Sequence, residues 1–282
     1  MTDQPKFPLA DVELKQVAST RRVSAPAWAD DFWQISQTEF AMQVKGVGDF
    51  YACKGCEVEY SPAPEATLAS LELFLNGSVF GAILHQRNIL PMHGSSFRWN
   101  DEGIMLCGDS GAGKSALTAA FCLSGAQFLT DDVTPIVFDG DQPGILPLSD
   151  RIKLWNDSLD QLDQEKGHLP EIRPGESKFY FPVEHGKDSE VYPLHRICIM
   201  VPADLAGPEL EELSGIEAFK ALRNEVYRFE YLKAMPLSEI SYLEKLLGLA
   251  KKTNIFRLTR PKEMTISATR EYLACHFKMP VR

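Results

Sequence analysis

The chain has 282 residues, 44% of them hydrophobic and 24% charged, enough to bury a core in one large domain or two modest ones. Its formal net charge of −10 argues against a general nucleic-acid binder, because neutralising phosphates takes a surplus of Lys and Arg. The cysteines (Cys53, Cys56, Cys107, Cys122, Cys198 and Cys275) are too sparse for a disulfide scaffold, and Met1 to Leu9 holds no apolar run of the secretory kind. A cytoplasmic protein is expected.

Up to about Pro64, short apolar runs alternate with turn residues, and strands are expected over 32–35, 40–45, 49–53 and 57–60. Cys53-Lys54-Gly55-Cys56 has the spacing of a metal or redox pair. It lacks a second close Cys/His pair, and Lys-Gly between alternating runs reads as a hairpin turn. Leu68, Leu71, Leu75, Val79 and Ile83 recur at helical spacing. Glu72, Asn76 and two glycines interrupt this stretch, so it reads as a core helix and not a membrane span. Pro91 stops any helix. Residues 1–85 are thus expected to form a β-rich unit ending in a helix, and 86–282 a nucleotide-binding domain.

Gly108-Asp109-Ser110-Gly111-Ala112-Gly113-Lys114-Ser115 fits the G-x4-G-K-[ST] pattern at every required position. An apolar strand, 104–107, precedes it. Helix formers follow over 116–123, and Gly125 stands where that helix would end. The glycines let backbone N–H groups approach phosphate oxygens, and the helix N-terminus adds partial positive charge. Lys114 supplies a point charge for the β- and γ-phosphates, and Ser115 a hydroxyl ligand for Mg²⁺. Together these residues point to a nucleoside triphosphate, ATP, with Mg²⁺.

Just past that helix, 128–130 is an apolar strand leading into Asp131 and Asp132. One carboxylate there could hold the metal while the other accepts a hydroxyl proton. The same pair could equally cap a turn. His93, after Pro91 and before Gly94, reads by itself as a turn or core histidine.

Further on, strands are expected over 151–155, 177–181, 196–201 and 255–258, and helices over 215–227, 236–251 and 267–277. Mixed strand and helix content makes the chain α/β or α+β. Arg151 and Lys153 could face phosphates or an acidic acceptor, or line a solvated strand face. Arg173 and Lys178 flank Pro174-Gly175 in a loop, where substrate contact is unspecific. Glu209 to Glu212 read as exposed charges, and Trp28, Trp33, Trp99 and Trp155 as packing residues.

Leu90-Pro91-Met92-His93-Gly94, the loop from Gly108 to Ser115, and Thr130-Asp131-Asp132 together resemble the kinase domain of HPr kinase/phosphorylase, in order and in spacing. Phe74 to Ser78, His85-Gln86-Arg87 and, more weakly, Arg151 to Trp155 and Arg257 to Pro261 look like a shorter branch of that family, which includes lasso-peptide serine kinases. The resemblance implies a fold related to phosphoenolpyruvate carboxykinase, with the phosphate loop on a mixed β-sheet. It implies that Lys114 holds the transferred phosphate and that Ser115 binds the metal. Asp132 would be general base toward a serine hydroxyl, Asp131 would support the metal, and His93 would lie near the aspartates. The family's later strand with a Glu metal ligand is not found. Asp150 and Asp157 lie in that region, and neither replaces it.

The leading function is therefore an ATP-dependent kinase acting on a hydroxyl, a serine of a peptide or protein being the expected partner. The alternative is a nucleotide-dependent switch or NTPase acting on a protein partner, in which an aspartate orients water. Neither nucleic acid nor membrane is expected as a partner. The oligomeric state stays open, a homo-oligomer included.

Overall fold

The first part of the chain forms β1 (Glu13–Gln16), β2 (Trp28–Ala29), β3 (Trp33–Ile35), β4 (Glu39–Val44), β5 (Gly48–Cys53) and β6 (Glu57–Pro62), and aromatic or β-branched residues mark all of them but β1. They form one sheet in the order β1-β6-β5-β4-β3-β2. All neighbours are antiparallel except β1 and β6. The expected turn at Lys54-Gly55 joins β5 to β6. Both residues have positive φ (53° and 69°), and the Cys56 N–H donates to Cys53 O at 3.2 Å. All six cysteines are free.

The expected core helix is present in three pieces: α1 (Leu68–Phe74), a π-helical turn over Leu75–Val79, and α2 (Phe80–Gln86). Thr67 starts it by a reciprocal capping pair with Ser70. Leu68–Gln86 is long and apolar enough to cross a membrane by composition, yet Leu75, Val79, Ile83 and Leu84 are fully buried. Each such side chain contributes about 1.5–3 kcal/mol by leaving water. The helix thus serves as a core element.

The computed structural model describes residues 4–148, 151–172, 175–185 and 190–279. It divides into two units, Met1–Pro91 with Val226–Lys245, and Met92–Glu225 with Leu246–Arg282. This differs from the boundary expected after residue 85. The physical reason is aromatic packing: Tyr231, in a 3-10 helix over Phe229–Ala234, lies 5.1 Å from both Trp33 and Phe40, ring centre to ring centre. Tyr242 lies 5.6 Å from His85 in the same way. His85 is fully buried, with Nε2 2.9 Å from Tyr227 O, and burial pulls its pKa down to about 4. It is a core histidine.

The second unit carries β7 (Leu90–Trp99), β8 (Glu102–Cys107), α3 (Lys114–Leu123), β9 (Gln127–Thr130), β10 (Val133–Asp139), β11 (Gln142–Ile145), β12 (Arg151–Trp155), α4 (Asn156–Gln161), β13 (Lys178–Pro182), β14 (Tyr192–Ala203), β15 (Glu209–Leu213), α5 (Gly215–Asn224), α6 (Pro236–Lys252), β16 (Asn254–Pro261) and α7 (Ile266–His276). The first two residues of β7 and the start of α6 belong to the first unit. The main sheet runs β11-β10-β7-β8-β14-β16-β15, with β9 beside β7. It is mixed: β8, β14 and β16 are parallel, whereas β7 is antiparallel to β8 and β15 to β16. The expected mixed α/β architecture is therefore the observed one.

Ile104 to Cys107 and Ile197 to Cys198 are wholly buried, as parallel central strands require. Phe97, Leu106, Met200 and Leu258 from the sheet pack with Leu117, Phe121, Leu273 and Phe277 of the helical layer. Two local expectations change. Residues 90–99 form a strand, so His93 sits in a sheet and not a turn. The acidic stretch 209–213 is also a strand, an edge held by β16, with Glu211 paired to Arg257 at 3.0 Å. The exposed glutamates suit an edge strand.

Candidate functional site

The phosphate loop joins β8 to α3. Gly108 leaves β8 with φ 127°, and a Cβ there would run into the Met200 carbonyl oxygen on β14. Gly111 (φ 86°) has nothing within 4 Å of where its Cβ would be, so the loop is open at that point. Gly113 (φ 92°) precedes α3 in a left-handed conformation and offers no side chain to cap it. The first-turn N–H groups of α3 thus have no side-chain cap, which suits an anion. Asp109, Ser110 and Gly111 are exposed and Ala112 is buried. Gly125 ends the helix as expected, with φ 100° and Ala126 N–H returning to Phe121 O at 3.0 Å.

Lys114 is buried and folds back along the loop. Its Nζ donates to Gly108 O at 2.6 Å and to Asp109 O at 3.1 Å. Arg260, from the end of β16, donates to Ala112 O at 3.1 Å and braces the loop from the other side.

The next helical residue, Ser115, donates its hydroxyl to Asp131 Oδ1 at 2.7 Å. Asp131 and Asp132 occupy the bend between β9 and β10, and their carboxylates reach Ser115 and Lys153 rather than capping that bend. The other oxygen of Asp131 accepts the backbone N–H of Lys153 at 2.9 Å. Lys153 Nζ donates to Asp132 Oδ2 at 3.0 Å, and His93 Nε2 lies 3.8 Å from Asp132 Oδ1. The main sheet, α3 and the β12-β13 ribbon therefore bring Ser115, Asp131, Asp132, Lys153 and His93 into one connected group.

Asp132 has a positive φ of 72°, a region Asp tolerates better than most residues. Burial alone would raise its carboxyl pKa. The Lys153 ammonium, by charge and hydrogen bond, with help from His93 and Lys178, instead holds it well below the usual carboxylate range. Burial would lower the Lys153 pKa, but Asp132 and Asp131 push it up. At neutral pH the pair is ionic.

Four buried hydroxyls hold the strands under this group in register. Thr130 Oγ1 lies 2.5 Å from Ser96 Oγ and 2.6 Å from Thr134 Oγ1. Ser95 donates to Thr130 O, and Thr134 to Gly94 O. His93 on β7 is thereby fixed relative to the aspartates that follow β9.

Of the remaining expectations, Arg151 lies on β12 with its guanidinium 4.1 Å from the Tyr180 ring centre. It shares a strand face with Lys153. Trp155 does not pack in a core: it is 45% exposed, with Lys178 Nζ 5.1 Å from its ring centre. Asp157 is an exposed residue in the first turn of α4, and Asp150 and Arg173 fall outside the described residues.

Sequence reasoning missed Glu225. Its carboxylate accepts the Gly108 N–H at 2.9 Å and its backbone carbonyl accepts the His93 N–H at 2.6 Å, so one buried residue ties both ends of the site. Burial raises its pKa, against the pull of the Gly108 N–H and Lys114. Nothing local marks it, because its partner lies 117 residues away. Arg260, within the Arg257 to Pro261 stretch, carries no local signal of its contact with the Ala112 carbonyl, 148 residues away.

Among the described residues no cluster of three or more His, Cys, Asp and Glu side chains is placed to hold a metal by itself. Ser115 Oγ with Asp131 Oδ1 offers two hard oxygen donors, a set that fits Mg²⁺ when phosphate oxygens and water complete it.

No family model matches the chain. No curated protein matches it. Among solved structures it is similar to the Hpr(Ser) kinase/phosphatase from Coxiella burnetii, at 12% identity and a TM-score of 0.31, over 66% of this chain and 98% of that one. So slight a likeness decides nothing about activity.

Proposed function

We propose that the protein is an ATP-dependent phosphotransferase that moves the γ-phosphoryl group to a hydroxyl, a serine of a peptide or protein. The observation that carries this reading is the chain of contacts Ser115–Asp131–Lys153–Asp132, directly beside a glycine-rich loop with a buried lysine. Phosphoryl transfer asks a protein mainly for positioning and charge stabilisation, and these residues supply both.

In this reading the loop N–H groups and the start of α3 hold the triphosphate. Lys114 exchanges its loop carbonyls for phosphate oxygens. Mg²⁺, held through Ser115 and Asp131, would neutralise phosphate charge. Asp132 accepts the proton of the acceptor hydroxyl as its oxygen bonds to the γ-phosphorus and the bond to ADP breaks. A carboxylate kept ionised by Lys153 is always ready to take that proton, though it is a weak base. His93 Nε2, 3.8 Å from the other oxygen of Asp132, adds to the charge around that carboxylate. Lys153 stands where it can follow charge from Asp132 to the moving phosphoryl group.

The test is transfer of labelled γ-phosphate from ATP and Mg²⁺ to serine peptides, with Asp132→Asn beside the wild type. Transfer by the wild type alone supports the reading. Release of phosphate by the wild type with no labelled peptide would favour a nucleotide-driven switch instead.

A further inference from the structure

The antiparallel ribbon of β12 and β13 has two unlike faces. Ile152 and Leu154, with Phe179 and Phe181 partly buried beside them, pack against Ala116 and Ala119 of α3, the helix that starts at the phosphate loop. Strand alternation then puts Arg151, Lys153 and Trp155 on the opposite face, and the register sets Lys178 across from Trp155 and Tyr180 across from Lys153. On that face Lys178 lies over the half-exposed Trp155, Arg151 lies over the buried Tyr180, and Lys153 is held by Asp132, on a chain whose net charge is −10. Gluing its apolar face to α3 fixes the cationic face relative to the loop.

We propose that this face docks an acidic segment next to the acceptor serine of a peptide or protein substrate, an inference that rests on the phosphotransferase reading. The order of contacts favours a peptide over the triphosphate. Lys114 and Ser115 come first, then Asp131, then Lys153 with Asp132, and the ribbon face extends beyond them. A base must face the acceptor, so groups on its far side from the loop lie on the acceptor side. Lys178 makes no ion pair among the described residues. Its ammonium lies over the half-exposed Trp155 ring. A carboxylate side chain can bind Lys178 while its stem lies along the indole. The overall negative charge disfavours a long polyanion such as nucleic acid, which would meet repulsion beyond this small patch.

The experiment uses the full chain and a pair of fluorescent serine peptides, one flanked by glutamates and the other by glutamines. Equilibrium binding, in the presence of a non-hydrolysable ATP analogue, is measured alongside phosphate transfer. The wild type should bind the glutamate peptide about tenfold more tightly, and Lys178→Glu should erase that preference without changing the affinity for the ATP analogue. Trp155→Ala should weaken the preference in the same direction. Equal binding of the two peptides by the wild type would overturn the proposal. So would a Lys178→Glu variant that lost ATP-analogue affinity by the same factor, or a single-stranded oligonucleotide that bound better than the glutamate peptide. Selective binding without transfer would leave the docking face standing and remove the phosphotransferase reading. Transfer without selectivity would do the reverse.

Discussion

Lys153 engages Asp132 and, through its own backbone, Asp131: Nζ is 3.0 Å from Asp132 Oδ2, and its N–H donates to Asp131 Oδ2 at 2.9 Å. A strand residue thus joins the two carboxylates and keeps both in place. Only one of them, Asp131, also touches the phosphate loop, through Ser115. The two aspartates are adjacent in sequence yet have different neighbours, and their proposed roles follow from that difference.

Removing the ammonium should move the pH dependence. In the folded protein Asp132 is held below its ordinary pKa, so its pairing contributes stability that is present above about pH 4 and is lost as pH falls through the lower folded value. In Lys153→Met the largest opposing charge is gone, burial is countered only by His93 and Lys178, and the carboxyl pKa rises. The acid limb of the transfer-rate profile should then shift to higher pH, and thermal unfolding should become less acid-sensitive, because a carboxyl whose folded pKa is no longer depressed takes up its proton without unfolding. Identical profiles for variant and wild type between pH 3 and 7 would rule this coupling out.

Asp132→Asn separates proton acceptance from shape. Asn tolerates a positive φ as readily as Asp, so the bend at 72° should survive. Transfer should fall by about a thousandfold or more, in the range lost with an essential acid–base group. Nucleotide affinity should change little. Calorimetric titration with ATP checks this, and an equal fall in affinity would make Asp132 a binding residue instead.

Lys114→Ala should remove the point charge at the loop. Triphosphate binding should weaken by at least about tenfold while diphosphate binding weakens less, because the lysine is assigned to the β- and γ-phosphates. Side-by-side titrations with ATP and ADP give the comparison. Full transfer activity in this variant would dismiss the assigned role.

Glu225 invites a pair of substitutions. Glu225→Gln keeps an acceptor for the Gly108 N–H and removes a buried charge whose pKa is raised, so stability near pH 7 should hold or rise. Glu225→Ala leaves that N–H unpaired in a buried place and should cost about 1–3 kcal/mol. Urea denaturation of both variants, with ATP affinity measured in parallel, distinguishes a lost hydrogen bond from a lost charge.

The buried hydroxyls under the site should matter to both stability and geometry. Thr130→Val deletes the centre of the network formed with Ser96 and Thr134, leaving two hydroxyls short of a partner. A loss of about 1–3 kcal/mol is expected in denaturant unfolding. If stability were unchanged, water or new pairings would have to satisfy the remaining hydroxyls.

Much of this was written locally in the chain. The glycines at 108, 111 and 113, with Lys114 and Ser115, specify a loop by steric permission and charge, and the loop forms between the strand and the helix that its flanks require. The hairpin at Lys54-Gly55, the end of α3 at Gly125 and the helical spacing from Leu68 to Ile83 are likewise short-range signals, read from positive φ and periodicity. What the chain did not disclose locally depends on distant segments meeting. Pro91 suggested a helix stop, but whether 90–99 becomes a strand is decided by pairing with β8. Val226–Lys245 joins the first unit because Tyr231 and Tyr242 fill its core. Glu225 reaches Gly108, and Lys153 reaches Asp132, across separations of 117 and 21 residues. Sequence patterns fix conformations a few residues long, whereas a buried carboxylate finds its donor, and a lysine its acid, only when packing brings separate elements together, here the end of α5 onto β8 and the β12-β13 ribbon onto the bend after β9.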